Sequence, residues 1–213
     1  MEEKSQTPRE IVKDIKQLME RSSRFISLSG LSGIAAGICA LAGAVVACVM
    51  LDGMQGRINY SGNFRLSTSG DTLTLKLLGL AAATFALAFI SAFYLTWRKA
   101  KKDNLPVWDH TSRRLLWNMV IPIVAGGLFI LGMLQYGDWR FVAPCSLIFY
   151  GLALVNASKY TLTDIRYLGY CEIVLGLINM QFIGYGLYFW AAGFGVLHII
   201  YGAIMWRKYE RKA

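Results

Sequence analysis

The stretch YLGYCEIVLGLINMQFIGYGLYFWAAGFGVLHIIYGAIMW, residues 167–206, decides the fold. Its 40 residues are apolar throughout except at Glu172 and His198. One membrane-crossing helix needs about 20 apolar residues, so this run is long enough for two. Gly184 and Gly186, in the segment 181–186, supply turn glycines at its middle. Working outward, four more uncharged runs appear, at 25–51, 77–97, 115–137 and 141–158. A charge at the bilayer centre costs about 2.5–3.5 kcal/mol on insertion scales, so uncharged length marks a span well. The runs are continuous and do not alternate at period two, which excludes a β-barrel. The expectation is an all-α integral membrane protein, a bundle of six transmembrane helices. The spans fall at about 25–51, 74–97, 115–136, 140–158, 165–182 and 184–206.

Composition agrees. Of 213 residues, 55% are apolar and 16% charged, where soluble domains carry about 25%; the mean hydropathy is +0.44. A disordered chain, a disulfide-stapled secreted domain and an ordinary cytosolic enzyme are all excluded.

The charges orient the bundle. With the N-terminus inside, segments 1–24, 98–114, 159–166 and 207–213 face the cytoplasm and hold 18 of the 22 Lys and Arg. Only Arg57, Arg65, Lys76 and Arg140 fall outside. This asymmetry places both termini on the cytoplasmic side of the membrane. The formal net charge of +9 is then explained by anionic headgroups, each basic residue near the surface gaining about 1 kcal/mol. The bilayer is the expected partner, and nucleic acid is not.

Two segments lie outside the spans. Within 1–24, Thr7-Pro8-Arg9-Glu10 reads as a capping box, and Ile11, Val12, Ile15, Leu18 and Met19 recur on one face. This predicts an amphipathic helix lying on the inner membrane surface. The charged leader and the long first run also argue against a cleavable signal peptide. In 52–72, Ile58, Tyr60, Phe64 and Leu66 alternate around Ser61-Gly62-Asn63, which predicts a hairpin-like outer loop. Residues 207–213 form a basic cytoplasmic tail.

RSSRFISLSGLSG at 21–33 and GFGVLHIIYG at 193–202 resemble the opening and closing segments of an uncharacterised family of six-span bacterial inner-membrane proteins. The resemblance covers about a tenth of the chain. That family has no assigned activity, so what it implies is location.

Soluble-enzyme signatures are missing: the chain has no phosphate-binding glycine loop, no HExxH and no Gly-x-Ser-x-Gly elbow. Two histidines, and four cysteines without a CxxC, predict no metal site and no cofactor. No catalytic residue is nominated, and an enzyme is the least favoured class. Ser29, Gly33 and Gly37 on the first span let helices approach closely, either within the chain or at a homo-oligomer seam.

The polar residues inside the spans carry the functional question. Glu172 is the one acidic residue within an apolar span, and such a group is a functional candidate by default. It shares a helical face with Gly169, Gly176 and Asn179, while His198 shares one with Ala191, Gly195 and Gly202. Counting from Arg166 and Arg207 at about 1.5 Å per residue places Glu172 and His198 at similar depth in the inner half. Glu172, His198 and Asn179 are the expected site, with Tyr170, Tyr150, Asn118 and Asn156 as further lining candidates. Pro122 is placed to kink the third span and open a cavity.

Two functions are carried forward. One is a small-solute or ion carrier or channel, proton-linked through the Glu/His site, its ligand undetermined. The other is a non-catalytic sensor, scaffold or partner subunit, in which the polar groups are packing hydrogen bonds worth about 0.6 kcal/mol each. A polar cavity at Glu172 would favour the first, a gap-free interior the second.

Overall fold

The computed structural model describes residues 28–52, 71–103 and 108–211. The expected amphipathic helix within 1–24 and the hairpin-like loop within 52–72 lie outside those residues, apart from the helix ends at 52, 71 and 72. Among the described residues six helices follow one another: α1 (Gly30–Asp52), α2 (Asp71–Lys102), α3 (His110–Gln135), α4 (Val142–Ala157), α5 (Asp164–Gln181) and α6 (Gly186–Tyr209). A 3₁₀ turn, Trp139–Phe141, leads into α4. No strand occurs among the described residues.

Five of the helices are long and apolar enough to cross a membrane: Gly30–Leu51, Leu75–Lys102, His110–Gln135, Trp139–Ala157 and Gly186–Tyr209. The chain is therefore a helical membrane protein. The sequence reading expected a sixth span, but α5 differs in kind from the five. In 18 residues it carries Asp164, Arg166 and Glu172, too many charges to qualify by composition.

Helix ends follow local chemistry. Asp109 caps α3, its carboxylate accepting from the Ser112 backbone N–H at 2.6 Å and the Ser112 hydroxyl at 2.7 Å. Gly137 (φ 79°) and Gly184 (φ 105°) take left-handed conformations in the short α3–α4 and α5–α6 connections. Pro122 sits inside α3, which runs on past it without a break.

Consecutive helices alternate in direction, so the bundle has two ends. One is strongly basic: Lys99, Lys101 and Lys102 close α2, Arg113 and Arg114 open α3, Lys159 and Arg166 flank the α4–α5 turn, and Arg207, Lys208 and Arg211 close α6. At the other end the described basic residues are Lys76 and Arg140. The basic end is clasped by acidic side chains. Glu210 accepts from the Gly30 N–H, the first of α1, at 2.6 Å and lies 3.4 Å from the Lys99 ammonium, a capping arrangement that also suits the helix dipole. Asp164 at the start of α5 accepts from Lys208 at 2.9 Å and from the Tyr209 hydroxyl at 2.8 Å.

Inside the bundle, glycines set the helix spacing. Helix α1 crosses α6 where Gly33 lies against Gly202 and Gly37 against Gly195. A methyl group added at Gly202 would stand 2.7 Å from the Gly30 carbonyl oxygen. Helices α4 and α5 cross at Gly151 and Gly169, each backed on the other's carbonyl, and again at Gly176 against Pro144. Ser29 is buried at the head of α1. With no hydrophobic force between helices in lipid, such close backbone contact is what holds them together. Helices α2 and α3 are peripheral and turn Phe85, Phe89 and Phe93, and Trp117, Ile121 and Leu128, outward.

Candidate functional site

In the middle of α5, Glu172 is fully buried, with 0% of its surface exposed. It faces α6, where Gly193 leaves room for it: a β-carbon at position 193 would stand 2.5 Å from Glu172 Oε2 and 2.5 Å from Leu147 Cδ2. Any larger residue at 193 would push aside the Glu172 carboxyl or the end of Leu147.

One turn further along α6 stands His198. Its Nδ1 lies 3.1 Å from the Gly193 carbonyl oxygen and 3.4 Å from Glu172 Oε1. A carbonyl can only accept, so Nδ1 carries a hydrogen directed at Gly193, with the carboxyl beside it. On the far side of the ring, Nε2 is 2.8 Å from the Tyr150 hydroxyl of α4. In the neutral ring Nε2 accepts from that hydroxyl, an assignment made from the hydrogen-bond network. Tyr150 and Phe194 also pack against the imidazole, with ring centroids 5.4 and 6.0 Å away. The site therefore draws on three helices: Glu172 from α5, His198 and Gly193 from α6, and Tyr150 from α4.

The backbone beneath it is unusual. Residues Ala191–Leu197 of α6 form a π-helical segment, flanked by α-helix on both sides. Such segments are uncommon and often sit at functional sites. Gly193 and Gly195 lie within it and are buried. His198 is the first residue after it, and its side chain reaches back five residues to Gly193.

Two features of the carboxyl matter chemically. Neither Glu172 oxygen accepts a hydrogen bond from a described residue, and the 3.4 Å approach of His198 is long for one. Each unsatisfied buried acceptor costs about 1–3 kcal/mol. Because Nδ1 already carries a hydrogen and Nε2 is turned to Tyr150, the ring offers the carboxyl no free nitrogen lone pair, so the two groups couple electrostatically and do not pass one proton directly between them. A net charge in an apolar interior is opposed, so proton loss from Glu172 needs water to reach it.

The other nominated residues are distributed as follows. Asn179, two turns along α5, is 1% exposed; its Nδ2 donates to the Phe182 carbonyl at 3.5 Å, and its Oδ1 is without a donor among the described residues. Tyr170 turns outward and is 47% exposed. Asn118 and Asn156 meet each other near the basic end of α3 and α4, where Asn156 Nδ2 donates to the Asn118 carbonyl at 2.9 Å. Thus Glu172, His198 and Tyr150 come together, Asn179 lies further along the same seam, and Tyr170, Asn118 and Asn156 stand apart. Gly193, Leu147 and the π segment were not singled out from the sequence.

Beside Pro122, an open groove of about 370 Å³ runs between α3 and α4, lined by Pro122, Phe149, Leu152, Val155, Asn156 and Lys159. It does not include Glu172 or His198. Among the described residues, no group of three or more His, Cys, Asp or Glu is placed to hold a metal ion. No protein-family model matches the chain, and neither a curated protein nor a solved structure matches it.

Proposed function

We propose that this chain is a six-span protein of a bacterial inner membrane, with both termini cytoplasmic, and that it carries a small solute or ion with proton linkage through Glu172 and His198. Six spans are supported by register. Helix α5 starts at Asp164 beside Lys208 and Tyr209 of α6 and ends with Asn179 near Gly186, so it is coextensive with a helix that is apolar enough to cross. Its one mid-helix charge is covered by α4 and α6. The orientation is supported by the collection of basic side chains at one end of the bundle. The resemblance to six-span inner-membrane proteins points the same way.

The observation that carries proton linkage is the unsatisfied carboxyl. A side chain kept only for packing would have its hydrogen bonds made; Glu172 has neither oxygen bonded by a described residue, an imidazole as its neighbour, and a π-helical segment beneath it. Infrared spectroscopy of the protein in nanodiscs tests this. The protonated-carboxyl band that disappears in Glu172→Gln should change in intensity between about pH 5 and pH 8. A band constant across that interval would defeat the proposal.

The second reading, a non-catalytic sensor, scaffold or partner subunit, is favoured by one observation: Leu147 and Glu172 pack directly on Gly193, leaving little free volume there. The same constant infrared band would select it.

A further inference from the structure

The seam between α5 and α6 is not the same on the two sides of Glu172. Toward the basic end it is closed by apolar side chains: Leu154, Leu162, Ile165, Leu168 and Met205 form one buried cluster, with Tyr201 and Leu197 packed on it. The polar groups on that side are occupied with one another. Cys171 Sγ lies 3.6 Å from the Tyr201 hydroxyl, and Asp164 is held by Lys208 and Tyr209.

Toward the opposite end the seam is polar and unsatisfied. Glu172 faces Gly193, and Asn179, seven residues on, faces Gly186, seven residues back along the antiparallel helix; a β-carbon at 186 would stand 3.9 Å from Asn179 Oδ1. A buried acceptor therefore lies opposite a glycine twice in succession, about 10 Å apart along the helix. Both side chains are at least 99% buried, and all three acceptor atoms, Glu172 Oε1 and Oε2 and Asn179 Oδ1, lack a donor among the described residues. Beyond Asn179 the chain turns at Gly184, so the line of acceptors leads out of the bundle at the end with few basic groups.

From this asymmetry we infer that Glu172 exchanges its proton with the compartment at the Gln181–Gly186 end, through water admitted along the α5–α6 seam past Asn179, and not with the basic end. The inference rests on the proton-exchanging reading of Glu172 and adds its direction; with the basic end cytoplasmic, access is from outside. The step is simple in its balance: the carboxyl O–H bond breaks as the proton passes to a water molecule, and re-forms on uptake. Asn179 is a positioning residue, whose carbonyl oxygen accepts from the water that bridges to the carboxyl. Of ionisable groups, helix α4 contributes Tyr150, bonded to His198, and Cys145; α1, packed on the π segment, has only Cys39 and Cys48 within Gly30–Leu51.

The test is a sided pH step on the full-length protein in proteoliposomes sorted by orientation, reading the Glu172 infrared band. A step on the Gln181–Gly186 side should change the band promptly, and a step on the basic side should leave it unchanged while the pH gradient lasts. Asn179→Leu, which removes the acceptor, should slow the response about tenfold, and Asn179→Ser, which keeps one, should restore it. A prompt response from the basic side, or an Asn179→Leu rate equal to wild type, overturns the route while leaving the proton site standing. A band that responds from neither side overturns the proton site itself, and the route with it. Should Asn179→Leu fail to fold, the wild-type sidedness alone decides.

Discussion

Gly202→Ala is predicted to weaken the bundle by separating α1 from α6. The new methyl would stand 2.7 Å from the Gly30 carbonyl oxygen, 2.7 Å from the Ile34 nitrogen and 3.0 Å from Ile34 Cγ1. The first two atoms are backbone and cannot rotate away, so the helices must part by several tenths of an ångström. Overpacking of this kind costs about 1–3 kcal/mol, and alanine's better helix propensity returns up to about 1 kcal/mol. A net loss of about 1–2 kcal/mol follows, which for a chain of this size lowers Tm by about 2–8 °C. The internal comparison is Gly132→Ala, where an added β-carbon meets nothing within 4 Å. That variant gains propensity without a clash and should melt at or above wild type. Thermal unfolding of both variants in the same detergent or nanodisc measures the difference. Equal melting temperatures, or a larger loss at Gly132, would refute the claim that close backbone contact at Gly30 and Gly202 holds these helices together.

Two further predictions follow from side-chain contacts. Glu172→Gln and His198→Gln should be non-additive in stability, the double mutant losing less than the sum by about 0.5–3 kcal/mol; strict additivity in a denaturation cycle would show that the 3.4 Å approach carries no energy. At the α3 cap, partial burial pushes the Asp109 carboxyl up, but the Ser112 backbone N–H and hydroxyl favour its charged form and bring it below the ordinary carboxylate value. Its contribution is therefore present above that value and is lost as pH falls through the lowered one. Asp109→Ala should cost about 0.5–1 kcal/mol at neutral pH and nothing in acid, while Asp109→Asn should keep most of the cap.

Much of the architecture is readable from charge spacing alone. Five uncharged runs and the glycines at 184 and 186 locate six helices, because charges and turns cannot sit where backbone and side chains must be apolar. Depth counting also sets Glu172 near His198, since two antiparallel helices joined by a short turn keep equal distances from that turn. Facing is harder to read. Tyr170 has almost the depth of Glu172, yet two residues turn a helix by about 200°, and it points away. Tyr150 reaches His198 only because Gly151 and Gly169 fix where α4 meets α5, a register that no local pattern states. The π segment has no sequence signal beyond its glycines. The Lys99–Glu210 clasp joins residues 111 apart, a distance over which charge patterning says nothing about pairing. In α5 the sequence misleads in a useful way: its charges make it the least span-like of the six, yet Asp164 ties it to Lys208 and Tyr209 of α6, Arg166 reaches Ser158 at the end of α4, and Glu172 lies beside His198.

The coupling of Glu172 to His198 is tested by nuclear magnetic resonance of the protein in nanodiscs, with nitrogen-labelled histidine and carbon-labelled glutamate, following the His198 ring and the Glu172 carboxyl through one pH titration. Both signals should change over the same pH interval, and Glu172→Gln should alter the His198 curve. Two independent curves, with the His198 curve unmoved by Glu172→Gln, would contradict it.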